Sequence, residues 1–228
     1  MKNGANKFAG VRVLIFDLDG TLIDSKLDLA LAVNATRENC GLSSLEHELI
    51  YSYVGNGAPA LIRLALSEGV GEEGIEEGLK FFLQYYRAHM LDNTVLYPGV
   101  REGLELLAGR EMAVLTNKPV RFSEAIIEGL GIAQYFRFIY GGNSFERKKP
   151  DPMGVEVLLR DLRARPEEAM MVGDSEVDVK TARSAGIWAC GVSYGLGSER
   201  LVEFPPDLMV DSLLELPAHF DGTALREA

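Results

Sequence analysis

The stretch Val13-Leu14-Ile15-Phe16-Asp17-Leu18-Asp19-Gly20-Thr21 decides how the rest of the chain is read. Four apolar residues, rich in β-branched and aromatic types and without alternation, run directly into two carboxylates one residue apart. Such a run predicts a strand buried on both faces. Asp17 and Asp19 then stand at the strand's carboxyl end, and Gly20 allows a sharp turn away. Two carboxylates this close resist joint burial unless a cation neutralises them. Mg2+, a hard ion that prefers oxygen ligands, is the natural counter-charge. The segment alone reads equally well as an acidic loop behind any core strand, so the remaining residues must decide.

The next seventy or so residues change character. Asp24-Ser25 offers a helix N-cap, and apolar residues recur at helical spacing over 27–40 (Leu27, Ala30, Leu31, Ala35, with Asn34 interrupting) until Gly41 stops the helix. A short helix is expected over 45–53, then a turn at Val54-Gly55-Asn56-Gly57. A helix over 58–67 has Pro59 in its first turn. A long amphipathic helix over 72–91 places Leu79, Phe82, Leu83, Tyr86 and Met90 near one face. No strand alternation occurs from 25 to 92, so a helical insertion follows the first strand.

From Tyr97-Pro98-Gly99 onward, helices and strands alternate. Strands are expected at 112–115, 136–140, 169–172, 187–192 and 208–210, and helices at 100–108, 121–129, 153–162 and 177–185. This order indicates an α/β fold, a Rossmann-like parallel sheet with helices on both faces. The last dozen residues are expected to be loosely held.

Composition bounds the function. The 228 residues are 47% hydrophobic and 25% charged, with a formal net charge of −11 and a mean hydropathy of +0.03. An acidic surface repels phosphate backbones, which argues against nucleic acid or an anionic membrane as partner. No apolar run approaches the length of a membrane span, and Met1 to Lys7 show no apolar signal region. Cys40 and Cys190 stand far apart, so neither zinc site nor disulfide framework is expected, and both read as small core residues of a cytoplasmic protein. His47, His89 and His219 are scattered singly and read as surface or cap residues.

Three apolar strands end in polar residues of particular types: Asp17 with Asp19, Thr116 with Asn117, and Asp174 with Asp178 four residues on. Ligands of open parallel sheets bind beyond the strands' carboxyl ends, so these segments should converge on one pocket. Lys149, in the tight basic cluster Arg147-Lys148-Lys149, could reach the same place. Phosphoryl transfer needs this collection: a metal bridging aspartate and phosphate, donors for the phosphoryl oxygens, and a lysine against developing charge. Each part has a plainer reading. Thr116-Asn117 alone is a turn, Lys148-Lys149 a solvated pair, and Asp174 and Asp178 caps of the helix behind them.

The segments DLDGT (17–21), LTN (115–117), KKPDP (148–152) and VGDSEVD (172–178) resemble, in order and spacing, the four motifs of the haloacid dehalogenase superfamily. Within it the chain looks most similar to phosphoglycolate phosphatases, through YVGNGAPAL (53–61), YPGV (97–100), YGLGS (194–198) and PDLMVDSLLEL (206–216). The resemblance implies a catalytic core of residues 1–22 and 97–228 and an α-helical cap domain of residues 23–96. It implies a Mg2+-dependent phosphomonoester hydrolase acting on a small phosphorylated metabolite such as 2-phosphoglycolate. Asp17 would be the nucleophile that forms an aspartyl-phosphate, and Asp19 the general acid and then base. Thr116 and the Asn117 backbone would hold phosphoryl oxygens. Lys149, directly before Pro150, would balance charge and orient Asp17. Asp17, the Asp19 carbonyl and Asp174 would hold the metal, with Asp178 and Ser175 in support. Substrate choice would fall to cap residues near Gly55-Asn56-Gly57 and Arg63, with hinges near 23–25 and 96–98. A phosphosugar mutase, a pyrophosphatase or a nucleotidase would share the motifs. A binding module without turnover has no reason to gather buried carboxylates, and a dehalogenase has no need of the acid–base chemistry Asp19 would supply.

Overall fold

The computed structural model describes residues 7–220; the expectations for the amino-terminal segment and for most of the final dozen residues fall outside them. In chain order, β1 (Val13–Phe16) is followed by β2 (Ile23–Asp24), α1 (Lys26–Asn39), α2 (His47–Tyr51), α3 (Ala58–Leu66), α4 (Glu72–His89) and β3 (Val95–Leu96). Then come α5 (Val100–Leu106), β4 (Glu111–Leu115), α6 (Val120–Gly129), β5 (Phe138–Tyr140), α7 (Met153–Asp161) and β6 (Ala169–Gly173). The chain continues through α8 (Glu176–Ala185), β7 (Trp188–Val192), β8 (Leu208–Val210) and α9 (Leu216–Phe220). Among the described residues, no helix is long and apolar enough to cross a membrane.

Six strands form one parallel sheet in the order β5-β4-β1-β6-β7-β8, the Rossmann-like core expected. β1 lies in the interior, and every one of its residues is fully buried. Its alternate side chains serve opposite faces: Val13 and Ile15 pack toward α7 and α8, while Leu14 and Phe16 pack toward α5, α6 and the helical insertion. That two-sided burial is why the run is apolar throughout rather than alternating. The chain leaves β1 for β4 and β5 on one flank, then returns to β6 on the other. The direction of winding therefore switches beside β1, where open α/β sheets form their ligand crevice. The register fixes what meets there. Phe16 lies level with Val114 and Val172, so Asp17, Thr116 and Asp174 all emerge within a residue or two of the same edge.

Sequence-derived boundaries hold to within about two residues for most elements, as helix ends fray. One local expectation needs correction, and two further features were not foreseen. Ser25 occupies the position before α1, but its hydroxyl does not cap the helix; it donates to Asp19. Asn34, which breaks the apolar stripe of α1, is recruited to hold the loop behind it, donating to Leu45 O (3.0 Å) and accepting from Leu45 N (2.8 Å). Finally, β2 and β3 pair antiparallel, Ile23 with Leu96 and Asp24 with Val95, which strands of two residues could not reveal by periodicity. The chain thus enters and leaves the helical insertion at one place. Tyr97 N donates to Leu22 O at 3.1 Å, and the buried Asp28 carboxylate accepts from Asn93 N, Thr94 N and Thr94 Oγ1. Cys190 is buried as expected, whereas Cys40 is half-buried; both are unpaired.

Candidate active site

Asp17 leaves β1 still tied to the sheet, its N–H donating to Val172 O at 2.9 Å. Its Oδ1 is buried and lies 2.9 Å from Lys149 Nζ, an ion pair without good hydrogen-bond geometry. The same ammonium lies 2.6 Å from Asp178 Oδ1. Lys149 is supplied by the loop after β5, and its side chain is only 2% exposed. Burial works against its charge, yet Asp17 and Asp178 outweigh burial and push its pKa up to about 12.

Asp174 stands one residue past β6. Thr21 Oγ1 donates to its Oδ1 (3.1 Å) and Gly197 N to its Oδ2 (2.8 Å). Asp178 sits one helical turn on, its Oδ2 accepting from Ser175 N (3.1 Å) and Ser175 Oγ (2.7 Å). The plainer reading of Asp178 as a helix cap is therefore true, and compatible with its contact to Lys149. Gly20 makes the approach of these strands workable. At φ +85° it adopts a backbone that side chains disfavour, and a Cβ there would lie 2.3 Å from Asp174 Oδ2.

Asp17, Asp174 and Asp178 each present a carboxylate oxygen, all within 4.8 Å of one another. Three carboxylates around one lysine leave an excess of negative charge. Burial first, then Asp178 and Asp17, raise the Asp174 carboxyl from an ordinary 3.8 to about 8. Burial and Asp178 raise Asp17 to about 6, although Lys149 pulls the other way. A cluster with all-oxygen donors, a buried carboxylate oxygen lacking a hydrogen bond, and carboxyls reluctant to ionise together fits a hard divalent cation.

Asp19 points elsewhere. Its carboxylate receives Ser25 Oγ and lies 2.9 and 3.2 Å from the ammonium of Lys118, which also donates to Tyr86 OH at 2.7 Å. So the Asp19 side chain stands outside the carboxylate cluster. Thr116 Oγ1 accepts from Lys118 N (3.3 Å), which leaves its hydrogen to donate. Asn117 Nδ2 donates to Gly55 O (3.0 Å) of the insertion and to Lys149 O (3.1 Å). Lys148 bonds Asn56 O at 2.6 Å. The Gly55-Asn56-Gly57 loop therefore rests on the sheet edge, and a Cβ on Gly57 (φ +80°) would come 2.8 Å from Asn117 O. Arg63 does not join the site: it is exposed and paired with Glu72 at 2.5 Å.

A cleft of about 520 Å³ opens over Asp17 and Asp19, lined by Thr116, Asn117 and Lys118 on the sheet side. Leu29, Gly55, Leu61, Phe82 and Tyr86 of the insertion complete it. A second hollow of about 500 Å³ reaches the same two aspartates past Asp174, Ser175 and Gly197. Sequence reasoning missed Ser25, Tyr86, Lys118 and Gly197. Lys118 had one usable signal, its place directly behind Thr116-Asn117 at a strand end.

The sequence profile of haloacid dehalogenase-like hydrolases matches residues 14–192. The phosphoglycolate phosphatase of Chromobacterium violaceum is 41% identical over 212 residues, covering 90% of this chain and 95% of that protein. That of Pseudomonas savastanoi pv. phaseolicola is 40% identical over 219 residues, covering 92% and 80%. Among solved structures, a predicted phosphoglycolate phosphatase from Haemophilus somnus superposes with a TM-score of 0.87 at 31% identity, over 91% of this chain and 96% of that one. A haloacid dehalogenase-like family hydrolase from Streptococcus pneumoniae gives 0.83 at 26% identity, over 93% and 99%. With its profile, relatives and sheet edge in agreement, the chain belongs to the haloacid dehalogenase-like hydrolases, as an enzyme of that family's phosphatases.

Proposed function

We propose that this enzyme hydrolyses 2-phosphoglycolate, with Mg2+ as cofactor and Asp17 as covalent nucleophile. The observation carrying this reading is the position of Asp17, held by Lys149 beside Asp174 and Asp178 and facing a cleft with Thr116 on its rim. The substrate rests on the names of the relatives.

Asp17 attacks phosphorus and expels the alkoxide, forming an aspartyl-phosphate that water then hydrolyses. Asp19 gives a proton to the leaving oxygen and later takes one from the attacking water. The Thr116 hydroxyl and the Asn117 backbone bind phosphoryl oxygens, and Lys149 offsets charge on the phosphoryl group while orienting Asp17. Asp17, Asp174 and the Asp19 carbonyl would hold Mg2+, with Asp178 and Ser175 fixing the arrangement; the ion would supply positive charge to the phosphoryl oxygens. Residues 1–22 and 97–228 serve as the catalytic core, and 23–96 as the cap that excludes bulk water. The ribbon of β2 and β3 is its hinge. Two unpaired cysteines suit a reducing cytoplasm.

Phosphate release across a panel of phosphomonoesters, with and without Mg2+, tests the reading. 2-Phosphoglycolate should lead, and chelation should abolish turnover. A hundredfold preference in kcat/KM for a hexose phosphate or a nucleotide, about 2.7 kcal/mol, would overturn the substrate.

Asp19→Asn separates the two aspartates. Loss of a general acid typically costs about 10²- to 10⁴-fold. The loss should be large for alkyl phosphates and small for aryl phosphates, whose leaving groups need little protonation. Equal losses on both would remove Asp19 as the acid.

A further inference from the structure

Beyond Asp19 the cleft wall carries a donor pair that the hydrolytic chemistry leaves unused. Lys118 gives its ammonium to Asp19 at 2.9 and 3.2 Å and to the Tyr86 hydroxyl at 2.7 Å, and its side chain is 4% exposed. An ammonium donates only, so the Tyr86 oxygen is the acceptor in that bond. The O–H hydrogen of Tyr86 finds no acceptor among the described residues, although Tyr86 is 1% exposed. Tyr86 lines the cleft over Asp17 and Asp19, so that hydrogen is free to be donated to a group bound there.

The surroundings narrow the choice of that group. Both residues line the cleft over Asp17 and Asp19, where the neighbouring wall is apolar, from Leu29, Leu61, Phe82 and Phe122. Lys149 is engaged by Asp17 and Asp178, and Lys118 is the one cation among the residues lining this cleft. Lys118 already balances Asp19, and in a chain of net charge −11 it is also the positive charge that this cleft offers a bound anion.

We propose that Lys118 and Tyr86 together bind a second anionic group of the substrate, a carboxylate carried one carbon from the ester oxygen, and so set the enzyme's preference. The proposal rests on the phosphatase reading above, in which phosphorus lies at Asp17 and the leaving oxygen at Asp19. A substituent on that oxygen is then presented past Asp19, toward Lys118. Its carboxylate accepts from Lys118 Nζ and Tyr86 O–H at once. The phenol gains the acceptor it lacks, and the lysine exchanges a neutral oxygen for a charged one, the stronger kind of hydrogen bond. The apolar wall takes a methylene but would strand the hydroxyls of a sugar. Because Tyr86 lies on α4 and Lys118 follows β4, the anion is fully bound only with the helical insertion seated on the sheet edge.

Steady-state kinetics with 2-phosphoglycolate and ethyl phosphate, which has the same skeleton but no carboxylate, test the pair. The ratio of kcat/KM, acid over ethyl, should fall about tenfold in Tyr86→Phe, chiefly through KM, and about a hundredfold in Lys118→Met, as lost bonds to a charged group do. Tyr86→Phe keeps the ring stacked on Phe82 (5.5 Å between centroids), so it reads the hydroxyl alone. Equal losses on both substrates would make Lys118 a holder of Asp19 and overturn the proposal. A wild-type preference for the acid that survives both substitutions would also overturn it while leaving the phosphoglycolate reading intact. A wild-type preference for a bisphosphate over 2-phosphoglycolate, abolished by both substitutions, would overturn the carboxylate as the group bound here and remove phosphoglycolate with it.

Discussion

Asp17→Asn should lower phosphatase turnover by about four orders of magnitude or more, as loss of other covalent nucleophiles does, without unfolding the protein. An amide has the carboxylate's shape but cannot attack phosphorus. Stability should move the other way. The folded-state pKa of Asp17 lies near 6, above its ordinary 3.8, because burial and Asp178 oppose its charge more than Lys149 favours it. Above pH 6 the ionised group therefore costs the metal-free protein stability, and a neutral isostere removes that cost. Thermal unfolding at pH 8 without divalent cations should show the variant at least as stable as wild type. Near-normal turnover, or a variant several degrees less stable under those conditions, would remove Asp17 from its assigned place.

The second large effect couples metal to pH. Asp174 titrates near 8 and Asp17 near 6 in the folded chain, both above 3.8. Raised carboxyl pKa values contribute stability that is complete below about pH 4 and lost as pH rises through 6 and 8. The metal-free protein should accordingly weaken across that window. A divalent cation held by the deprotonated cluster, as proposed, should restore stability most at pH 8 and least at pH 5, where protons compete. At a hundred times Kd, binding adds about 2.7 kcal/mol, or about 5–10 °C in Tm for a chain of this length. Differential scanning fluorimetry with MgCl2 at the two pH values gives the comparison, and Asp174→Asn should erase the shift. Equal shifts at pH 5 and pH 8 would mean the ion binds away from these carboxylates.

The parts of this site that sequence made legible are those whose signal is local. β1, β4 and β6 are apolar because each is buried on both faces, and the polar residues ending them stand out against that background. Their convergence follows from the topology of parallel sheets rather than from any single residue. Lys118 was opaque because its partners, Asp19 and Tyr86, lie 99 and 32 residues away. Next to Thr116-Asn117 it looks like any polar residue closing a strand. Ser25 was misread because local capping chemistry is the default use of a serine before a helix, and a tertiary partner took the hydroxyl instead. Arg63 was expected to share in substrate choice, but Glu72, nine residues on, is its partner on the outer surface. Charge alone did not say which way that side chain would turn.

Asp178 shows how two readings of one residue can both hold. It closes the first turn of α8 through Ser175 and also grips Lys149, so the lysine is anchored by a group that is itself fixed by a helix end. With Asp17 as the proposed nucleophile, its counter-ion would have little freedom to wander, which is the pre-organisation that phosphoryl transfer rewards.

The ribbon of β2 and β3 has an implication for how such an enzyme changes over time. Because Leu22 and Tyr97 are hydrogen-bonded neighbours, the chain runs into and out of the insertion at one point of the sheet. Loop-closure entropy between β1 and β4 is settled at that ribbon and hardly depends on how many residues lie beyond it. Outside the Gly55-Asn56-Gly57 loop and the face of α4 carrying Phe82 and Tyr86, which rest on the sheet edge, segments between 24 and 95 are thus free to lengthen, shorten or be exchanged without renegotiating the packing of the six strands. On the proposed function, the sheet edge is then a fixed chassis and the outer parts of the inserted helices an interchangeable fitting through which a substrate preference would change.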